Sequence, residues 1–209
     1  FTEDRFETEA VQGDHSYGVV LRSRKGLGEW CIAAFALAGS EISRVSSWNA
    51  KGNGADIWNE FRDDGVLQAR ALDDSQSAAA IAVKVVLGPG ETREIPMTIA
   101  WDFPVVHFNS GTEWWKKYTE YFGRGGTNSF AIAAEALDHR TEWEAKLDAW
   151  MKPVIECGQY PDWLKSAAFN ELYYNQFGGI FYEAGLKSGH EEEFMGLHPE
   201  DHKHYEMES

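Results

Sequence analysis

The spacing of apolar residues changes character once along this chain, near the stretch WDFP at 101–104. Before it, apolar residues form short runs between turn residues, such as YGVVLRS (17–23) and WCIAAFAL (30–37). After it, they recur at spacings of three and four residues. Because a strand alternates its faces and a helix repeats about every 3.6 residues, this change predicts a β half followed by an α half.

The β half predicts several antiparallel strands packed as a sandwich. The runs AAAIAVKVVL (78–87) and REIPMTIAW (93–101) flank the turn GPGE (88–91), an arrangement typical of a β-hairpin. The Gly- and Asn-rich stretch WNAKGNGADIWNEF (48–61) predicts a loop that leads into one helical turn.

The α half predicts three helices. GTEWWKKYTEYFG (111–123) is expected to form the first, with Gly123 as its C-cap. The stretch 127–153 carries apolar residues at helical spacing and predicts one long amphipathic helix, or two nearly continuous ones. Asn128 is suited to begin this helix and Pro153 to end it.

The third helix is expected within PDWLKSAAFNELYYNQFGG (161–179). Asp162 is a good N-cap, the pattern runs from 163 to about 176, and Gly178 with the following glycine stops it. This segment is apolar nearly all round, which indicates a buried helix. Glu171 lies in its centre, so its carboxylate is expected to face protein or a cavity.

A carboxylate in an apolar helix has two interpretations. Buried charges are costly unless they are paired or used, which favours a functional role for Glu171. Glutamate is also a good helix former, and Glu171 can reach solvent or pair with Lys165 or an arginine elsewhere. The pattern alone leaves both interpretations open.

Charge and cysteine content exclude several classes of function. The formal net charge of −15 over 209 residues repels phosphate backbones and anionic lipid, so nucleic acid is not an expected partner. Cys31 and Cys157 are far apart in the sequence, so neither a disulfide framework nor a zinc site built on cysteine pairs is expected.

No apolar run approaches the length of about 18 residues that a transmembrane helix needs. The opening FTEDRFETEA is acidic and polar, unlike a secretory signal peptide. Both features predict a cytoplasmic protein without a transmembrane segment. The chain does not begin with Met, so its N-terminus is expected to lie upstream or to have been processed.

Two further groups are candidate binding sites. His198 and His202 have the i, i+4 spacing that can bind a metal on a helix, although a solvated loop or lid is the plainer interpretation of this polar tail. Trp48, Trp58 and Phe61 lie in a Gly-rich stretch and are suited to stack on sugars, or else to close an edge of the sandwich.

Four stretches together resemble glycoside hydrolase family 116, which includes non-lysosomal glucosylceramidases and related β-glucosidases. They are AWDFPVVHF, KKYTEYFG, EWEAKLDAWMKPVI and PDWLKSAAFNELYYNQFGG, and the clear resemblance covers about residues 88–182. It implies an α+β protein of two domains. The implied arrangement is an antiparallel β-sandwich over 1–108, followed by the first helices of an (α/α)6 barrel over 109–209.

The resemblance also implies retaining hydrolysis of β-glucosides, in some members of glucosylceramide. Glu171, within the matching Asn-Glu-Leu-Tyr motif, takes the position of the nucleophile. Tyr174 and Asn175, which share its helical stripe, and the preceding Asn170 are the candidate substrate-binding residues. Retaining hydrolysis needs two carboxyl groups roughly 5–5.5 Å apart, so no metal or other cofactor is expected.

The chain departs from the family pattern in two places. Phe177 stands where many members carry an aspartate before two glycines, which bears on sugar preference. The family's acid/base is an aspartate far downstream, and Asp201 is the sole aspartate after Glu171 and lies in an unrelated setting. We therefore expect the rest of the barrel, in the same polypeptide or a separate chain, to supply the acid/base. The alternative is a non-catalytic carbohydrate-binding or structural portion, inactive alone.

Overall fold

A computed structural model of the protein describes residues 6–48, 50, 53–68, 70, 78–107 and 113–170. Its strands are β1 (Phe6–Gln12), β2 (Ser16–Ser23), β3 (Glu29–Phe35), β4 (Glu41–Val45), β5 (Ala80–Lys84), β6 (Met97–Asp102), β7 (Val105–His107) and β8 (Glu113–Trp115). Its helices are α1 (Ala55–Asp64), α2 (Thr119–Phe122), α3 (Ser129–Ile155) and α4 (Asp162–Asn170). Antiparallel sheets combined with helices confirm the predicted α+β class.

The chain divides into two compact units, one comprising 1–104 with 122–140 and the other 105–121 with 141–209. The largest sheet lies in the first unit and has the order β1-β2-β3-β6, antiparallel throughout. Val19 and Val20 point to opposite faces of β2, and both are buried. Strand β2 is therefore covered on both faces of the sheet.

The connection between β5 and β6 departs from the predicted hairpin. The turn itself forms, because Glu91 N donates to Gly88 O at 3.1 Å and Gly90 has a φ of 76°. The flanking strands, however, belong to different sheets, since β5 pairs with β4 and β6 pairs with β3. Strand partners are chosen by side-chain packing on each face, so a favourable turn alone does not decide them. The hairpin prediction is wrong.

The main core of the first unit forms where the first turns of α3 pack on the large sheet. Ala133 and Leu137 of α3 are buried against Val20, Cys31 and other small side chains of the sheet. Gly18 permits this approach. A Cβ at that position would lie 3.1 Å from the ring of Phe130 and 3.2 Å from the sulfur of Cys31.

A second apolar cluster joins β4, β5 and α1. Val45, Leu67 and Ala82 are buried in it, and Trp48 and Ile57 pack against its edge. The sequence predicted one helical turn in this region, and α1 extends to ten residues. Gly54 and Gly65, both with left-handed backbone conformation, flank the helix at its two ends. The Gly-rich composition of this stretch predicted a loop and therefore gave too short a helix.

The first predicted helix of the α half is largely absent from the second unit. Residues 113–115 form β8, which pairs with β7 through Val105↔Trp115 and Val106↔Trp114. The helical part is confined to the four residues of α2, and Gly123 follows it with a φ of 83°. Aromatic and β-branched residues form favourable cross-strand pairs, and this tertiary pairing overrides the helical spacing.

The long predicted helix is confirmed as one continuous α3 of 27 residues. Pro153 does not end it, because the helix runs on to Ile155. The apolar residues of α3 have two different environments. Ala133 and Leu137 are buried in the first unit, whereas Trp143 and Leu147 are exposed in the second. No helix in the described part of the chain has the length and apolar character needed to cross a membrane.

Candidate functional site

Of the four residues predicted to contact substrate, Asn170 is the one within the described part of the chain. It is the last residue of α4 and is exposed. Glu171, Tyr174 and Asn175 lie outside the described residues, so their predicted roles stay predictions. Helix α4 therefore gives the structural setting of the Asn-Glu-Leu-Tyr motif up to the residue that immediately precedes the candidate nucleophile.

The start of α4 is defined by Pro161. Its carbonyl oxygen accepts hydrogen bonds from Leu164 N at 3.0 Å and from Lys165 N at 3.3 Å. Asp162, predicted as the N-cap, instead lies in the first turn, where it forms an ion pair with Lys165 Nζ at 3.1 Å. An acidic residue there still suits the positive end of the helix dipole. The capping prediction is displaced by one residue.

One aromatic contact attaches α4 to α3 within the second unit. The rings of Trp150 and Phe169 lie 5.4 Å apart, edge to face at 71°. Helix α4 was predicted to be buried, and this is wrong for its described residues, none of which is fully buried. An all-round apolar helix needs neighbours on every side. The described residues provide this aromatic contact, and Trp163 and Leu164 stay exposed.

A different pair of carboxylates is buried in the first unit, at the start of α3. Glu29 on β3 and Asp102 on β6 face each other in register, and both are buried. Glu29 Oε1 accepts from Ser129 N at 2.9 Å and from Ser129 Oγ at 2.8 Å. Asp102 Oδ2 accepts from Asn128 N at 2.8 Å and from Asn128 Nδ2 at 3.1 Å. Carboxylates from two neighbouring strands thus cap the N-terminus of α3.

These two carboxylates act as structural groups. A general acid or base must reach the proton that it transfers, and both side chains are enclosed by the helix terminus that they cap. The other oxygen of Glu29, Oε2, forms an ion pair with Arg22 Nε at 3.0 Å. Burial, and then the charge of Glu29, raise the pKa of the adjacent Cys31 thiol to about 12, so this thiol is not a nucleophile at neutral pH.

Sequence reasoning did not identify Glu29 or Asp102. Each lies at the end of an apolar run, where a charged residue ordinarily marks the point at which a strand reaches solvent. A possible signal was the Asn128-Ser129 pair at the start of the long helix, since the free N–H groups of a helix start attract carboxylates. Which carboxylates approach it depends on the pairing of β3 with β6.

The three aromatic residues of the Gly-rich stretch have different environments. Trp48 packs against the second apolar cluster, and its Nε1 is buried without a hydrogen-bond partner among the described residues. Trp58 and Phe61 lie on the surface of α1 with ring centroids 5.9 Å apart and planes inclined by 38°. The trio is therefore separated into one partly buried residue at the edge of the second apolar cluster and one exposed pair.

A cleft of about 330 Å³ opens beside β4, and Arg44 and Arg70 are among the residues that line it. Both guanidinium groups are engaged within the protein. Arg44 donates to Val11 O at 2.5 Å. Arg70 forms ion pairs with Asp56, at 2.9 Å, and with Glu60. These cations therefore hold the fold together and do not form an anion site.

Among the described residues, no group of three or more His, Cys, Asp and Glu side chains is arranged to hold a metal ion. Cys31 and Cys157 are both free thiols. His198 and His202, the candidate metal ligands, lie outside the described residues.

Residues 2–143 match the family model described as beta-glucosidase 2, glycosyl-hydrolase family 116 N-term. The match covers more than half of the chain and includes the large sheet with the first turns of α3. The protein therefore belongs to glycosyl-hydrolase family 116, a family of glycoside hydrolases, as its sequence resemblance predicted. The match ends before α4, so the assignment of Glu171 stays a prediction.

Proposed function

We propose that this protein is part of a retaining β-glucosidase in which Glu171 is the nucleophile. The observation that carries the proposal is that one chain contains two features of the family. Residues 2–143 match the N-terminal part of family 116, and α4 leads directly into the Asn-Glu-Leu-Tyr motif. The ring contact between Trp150 and Phe169 supports α4 beside the candidate nucleophile, and rigid support favours catalysis because the attacking oxygen must be held in line.

The proposed organisation is a β-sandwich over 1–108 and the opening helices of an (α/α)6 barrel over 109–209. Two observations favour the sandwich. Strand β2 is buried on both faces, and Arg44 of β4 donates to the carbonyl oxygens of Val11 and Gly18, near the ends of β1 and β2. For the barrel, the support is the exposed apolar surface of Trp143, Leu147 and Trp163, which suits packing against further helices.

The proposed reaction proceeds by two displacements at the anomeric carbon. A carboxylate oxygen of Glu171 forms a bond to this carbon as the bond from the carbon to the aglycone oxygen breaks. A second carboxylic acid gives its proton to the departing oxygen. The same group then takes a proton from water, whose oxygen attacks the anomeric carbon and releases Glu171.

The second carboxyl group is proposed to come from the remainder of the barrel, in the same polypeptide or in a separate chain. The buried carboxylates of the first unit do not supply it, because Glu29 and Asp102 are bound to the start of α3. Asp201 is the sole aspartate after Glu171 and lacks the sequence setting of the family's acid/base.

The proposed substrate is a neutral β-glucoside, with a glucosyl lipid as the narrower possibility. A net charge of −15 disfavours anionic substrates. Phe177 puts an aromatic residue at the position where many members carry an aspartate. We propose that this position alters sugar preference, and Phe177→Asp is expected to shift the ratio of kcat/KM between glucosides and xylosides.

Covalent labelling tests the nucleophile. The complete enzyme, treated with 2-deoxy-2-fluoro-β-glucosyl fluoride, is expected to gain one glycosyl group on the peptide that contains Glu171. Glu171→Gln should abolish both labelling and turnover of an aryl β-glucoside. Glu156→Gln is the matched control, because Glu156 is an exposed glutamate just after α3, and it should retain both. Labelling on another peptide, or full turnover by Glu171→Gln, would refute the assignment.

The missing acid/base is tested separately. The 209-residue chain alone is expected to show no hydrolysis of an aryl β-glucoside, since one carboxylate supplies half of the catalytic pair. Hydrolysis by the isolated chain at the rate of the complete enzyme would place the second carboxyl group within these residues and contradict the proposal.

A further inference from the structure

Helix α1 presents its two aromatic residues to solvent. Trp58 is 59% exposed and Phe61 is 40% exposed, and none of the ten residues of α1 is fully buried. They are three residues apart, so they lie side by side on one face of the helix. An amphipathic helix ordinarily turns its largest apolar side chains toward the core. Here Ile57 is the apolar residue of α1 that packs on the core.

The helix that carries the pair is held firmly. Ile57 packs against the second apolar cluster, and Arg70 forms ion pairs with Asp56 and Glu60 of α1. Burial acts to raise the pKa of Asp56, but the hydrogen bond from Arg70, the backbone hydrogen bond of Ile57 and the charge of Arg70 outweigh it and lower that pKa below its ordinary value. The carboxylate is therefore ionised at neutral pH, and the ion pairs persist. Trp58 and Phe61 are thus presented by a fixed backbone.

Polar groups flank the aromatic pair. Arg62 follows Trp58 by four residues and lies on the same face, one turn along. Its Nε and Nη2 donate to the same oxygen of Asp63, Oδ1, at 3.2 Å and 3.0 Å. The other oxygen, Oδ2, accepts no hydrogen bond from the described residues. Arg62 thus offers a guanidinium donor on the face of Trp58 and holds the carboxylate of Asp63, an acceptor, next to itself; both side chains are exposed.

We propose that Trp58 and Phe61 form an accessory binding platform for the pyranose rings of a soluble β-linked oligosaccharide, separate from the Glu171 motif. A pyranose with equatorial hydroxyls has an apolar C–H face that suits the electron-rich face of an indole. Its hydroxyls at the ring edge can donate to Asp63 and accept from Arg62. Rigid aromatic side chains also bind with a small loss of conformational entropy.

The charge of the surroundings favours a neutral ligand. Helix α1 and Arg70 together carry four acidic groups and two arginines, so an anion is repelled. The acidic residues are Asp56, Glu60, Asp63 and Asp64. A cation above Trp58 would be attracted to this surface as well, and the experiment distinguishes it from a sugar.

Fluorine NMR of the full-length protein labelled with 5-fluorotryptophan tests the platform. The resonance of Trp58 is identified by its loss in Trp58→Phe. Titration with thiocellobiose, whose sulfur-linked bond resists hydrolysis, is expected to shift this resonance saturably. Glycerol, which has hydroxyls but no ring face, and tetramethylammonium, a bare cation, are expected to leave it in place.

Variants give the size of the effect by titration of the sugar's own resonances. Trp58→Ala should weaken the affinity for thiocellobiose by about fivefold, with Trp58→Phe intermediate. Tyr121→Ala is the matched control, because Tyr121 is 80% exposed on another helix, and it should leave the affinity unchanged. Glu171→Gln should not alter the Trp58 shift, so this test is independent of the nucleophile. A Trp58 resonance that ignores thiocellobiose, or that responds equally to glycerol or tetramethylammonium, overturns the proposal.

Discussion

Replacing Glu29 with glutamine preserves the volume of the side chain and removes its charge at the start of α3. The amide oxygen can still accept from Ser129 N and Ser129 Oγ, the two bonds that Oε1 receives at 2.9 Å and 2.8 Å. The amide nitrogen takes the place of Oε2 and brings a donor against Arg22 Nε, which lies 3.0 Å away. We therefore expect the large sheet and α3 to loosen where they meet.

The expected loss follows from the contacts. Hydrogen bonds to charged groups contribute about 1.5–3 kcal/mol each, and a carboxylate near a partly buried helix N-terminus contributes up to about 2 kcal/mol. Glutamine retains part of the first contribution. Arg22 is 40% exposed, so solvent compensates part of its lost partner. The net destabilisation for Glu29→Gln is about 3 kcal/mol, which corresponds to a fall in Tm of about 6–12 °C for a chain of this size.

Thermal and urea denaturation followed by far-UV circular dichroism measure this loss. Glu41→Gln is the matched control, because Glu41 is a strand glutamate that is 60% exposed and lies 3.8 Å from Lys84. Its expected effect is below about 0.5 kcal/mol. Hydrogen exchange should also speed up at the amides of the first turn of α3 in Glu29→Gln and not in Glu41→Gln. A Tm for Glu29→Gln within about 1 °C of wild type would refute the reasoning, because it would mean that desolvation cancels these bonds.

Four further outcomes are expected. Gly28→Ala should prevent folding or lower the free energy of unfolding by more than about 3 kcal/mol, because its Cβ would lie 2.1 Å from a backbone oxygen of β6. The control is Gly26→Ala, since Gly26 also has a positive φ but has open space around it. This control should lower the free energy of unfolding by about 1 kcal/mol in thermal denaturation. In the folded protein at about pH 8, a thiol reagent should modify Cys157 and spare Cys31, whose pKa of about 12 keeps it protonated; equal labelling contradicts this. The raised pKa also predicts that stability falls as the pH rises above 9.0, the ordinary value, where the unfolded thiol ionises first, and Cys31→Ser should flatten that fall in urea denaturation. Phe169→Ala should accelerate hydrogen exchange in α4 by about tenfold through loss of the ring pair, whereas Trp163→Ala should not.

At the candidate site, the Asn-Glu-Leu-Tyr motif and its family resemblance were predictable from the sequence. The helix that begins near Asp162 was predictable as well. The degree to which that helix is buried was not predictable. An apolar surface indicates that a helix can be buried, but the neighbours decide how far it is. The ring of Phe169 packs on Trp150, and Trp163 remains in solvent.

Local features of the fold were predictable where a short stretch of residues is sufficient to define them. The spacing within 129–155 specifies α3, and the Gly-Pro-Gly turn forms where the sequence places it. The change from strands to helices near 101–104 predicted the α+β class, although strand β8 extends the β character into 113–115. These elements depend on contacts between residues that are close in the chain, so the sequence pattern records them.

Contacts between distant residues were decided by the tertiary structure. Strand β6 pairs with β3, which lies 62 residues or more earlier in the chain. It does not pair with the preceding strand, β5, because side-chain packing on each face of the sheet determines the partner. That pairing brings Asp102 opposite Glu29 and places both beside the N–H groups at the start of α3. A buried carboxylate is tolerated only where such donors meet it. The sequence alone determined the family and the locally defined elements such as α3, and the packing of sheet on helix determined which charged residues could be buried.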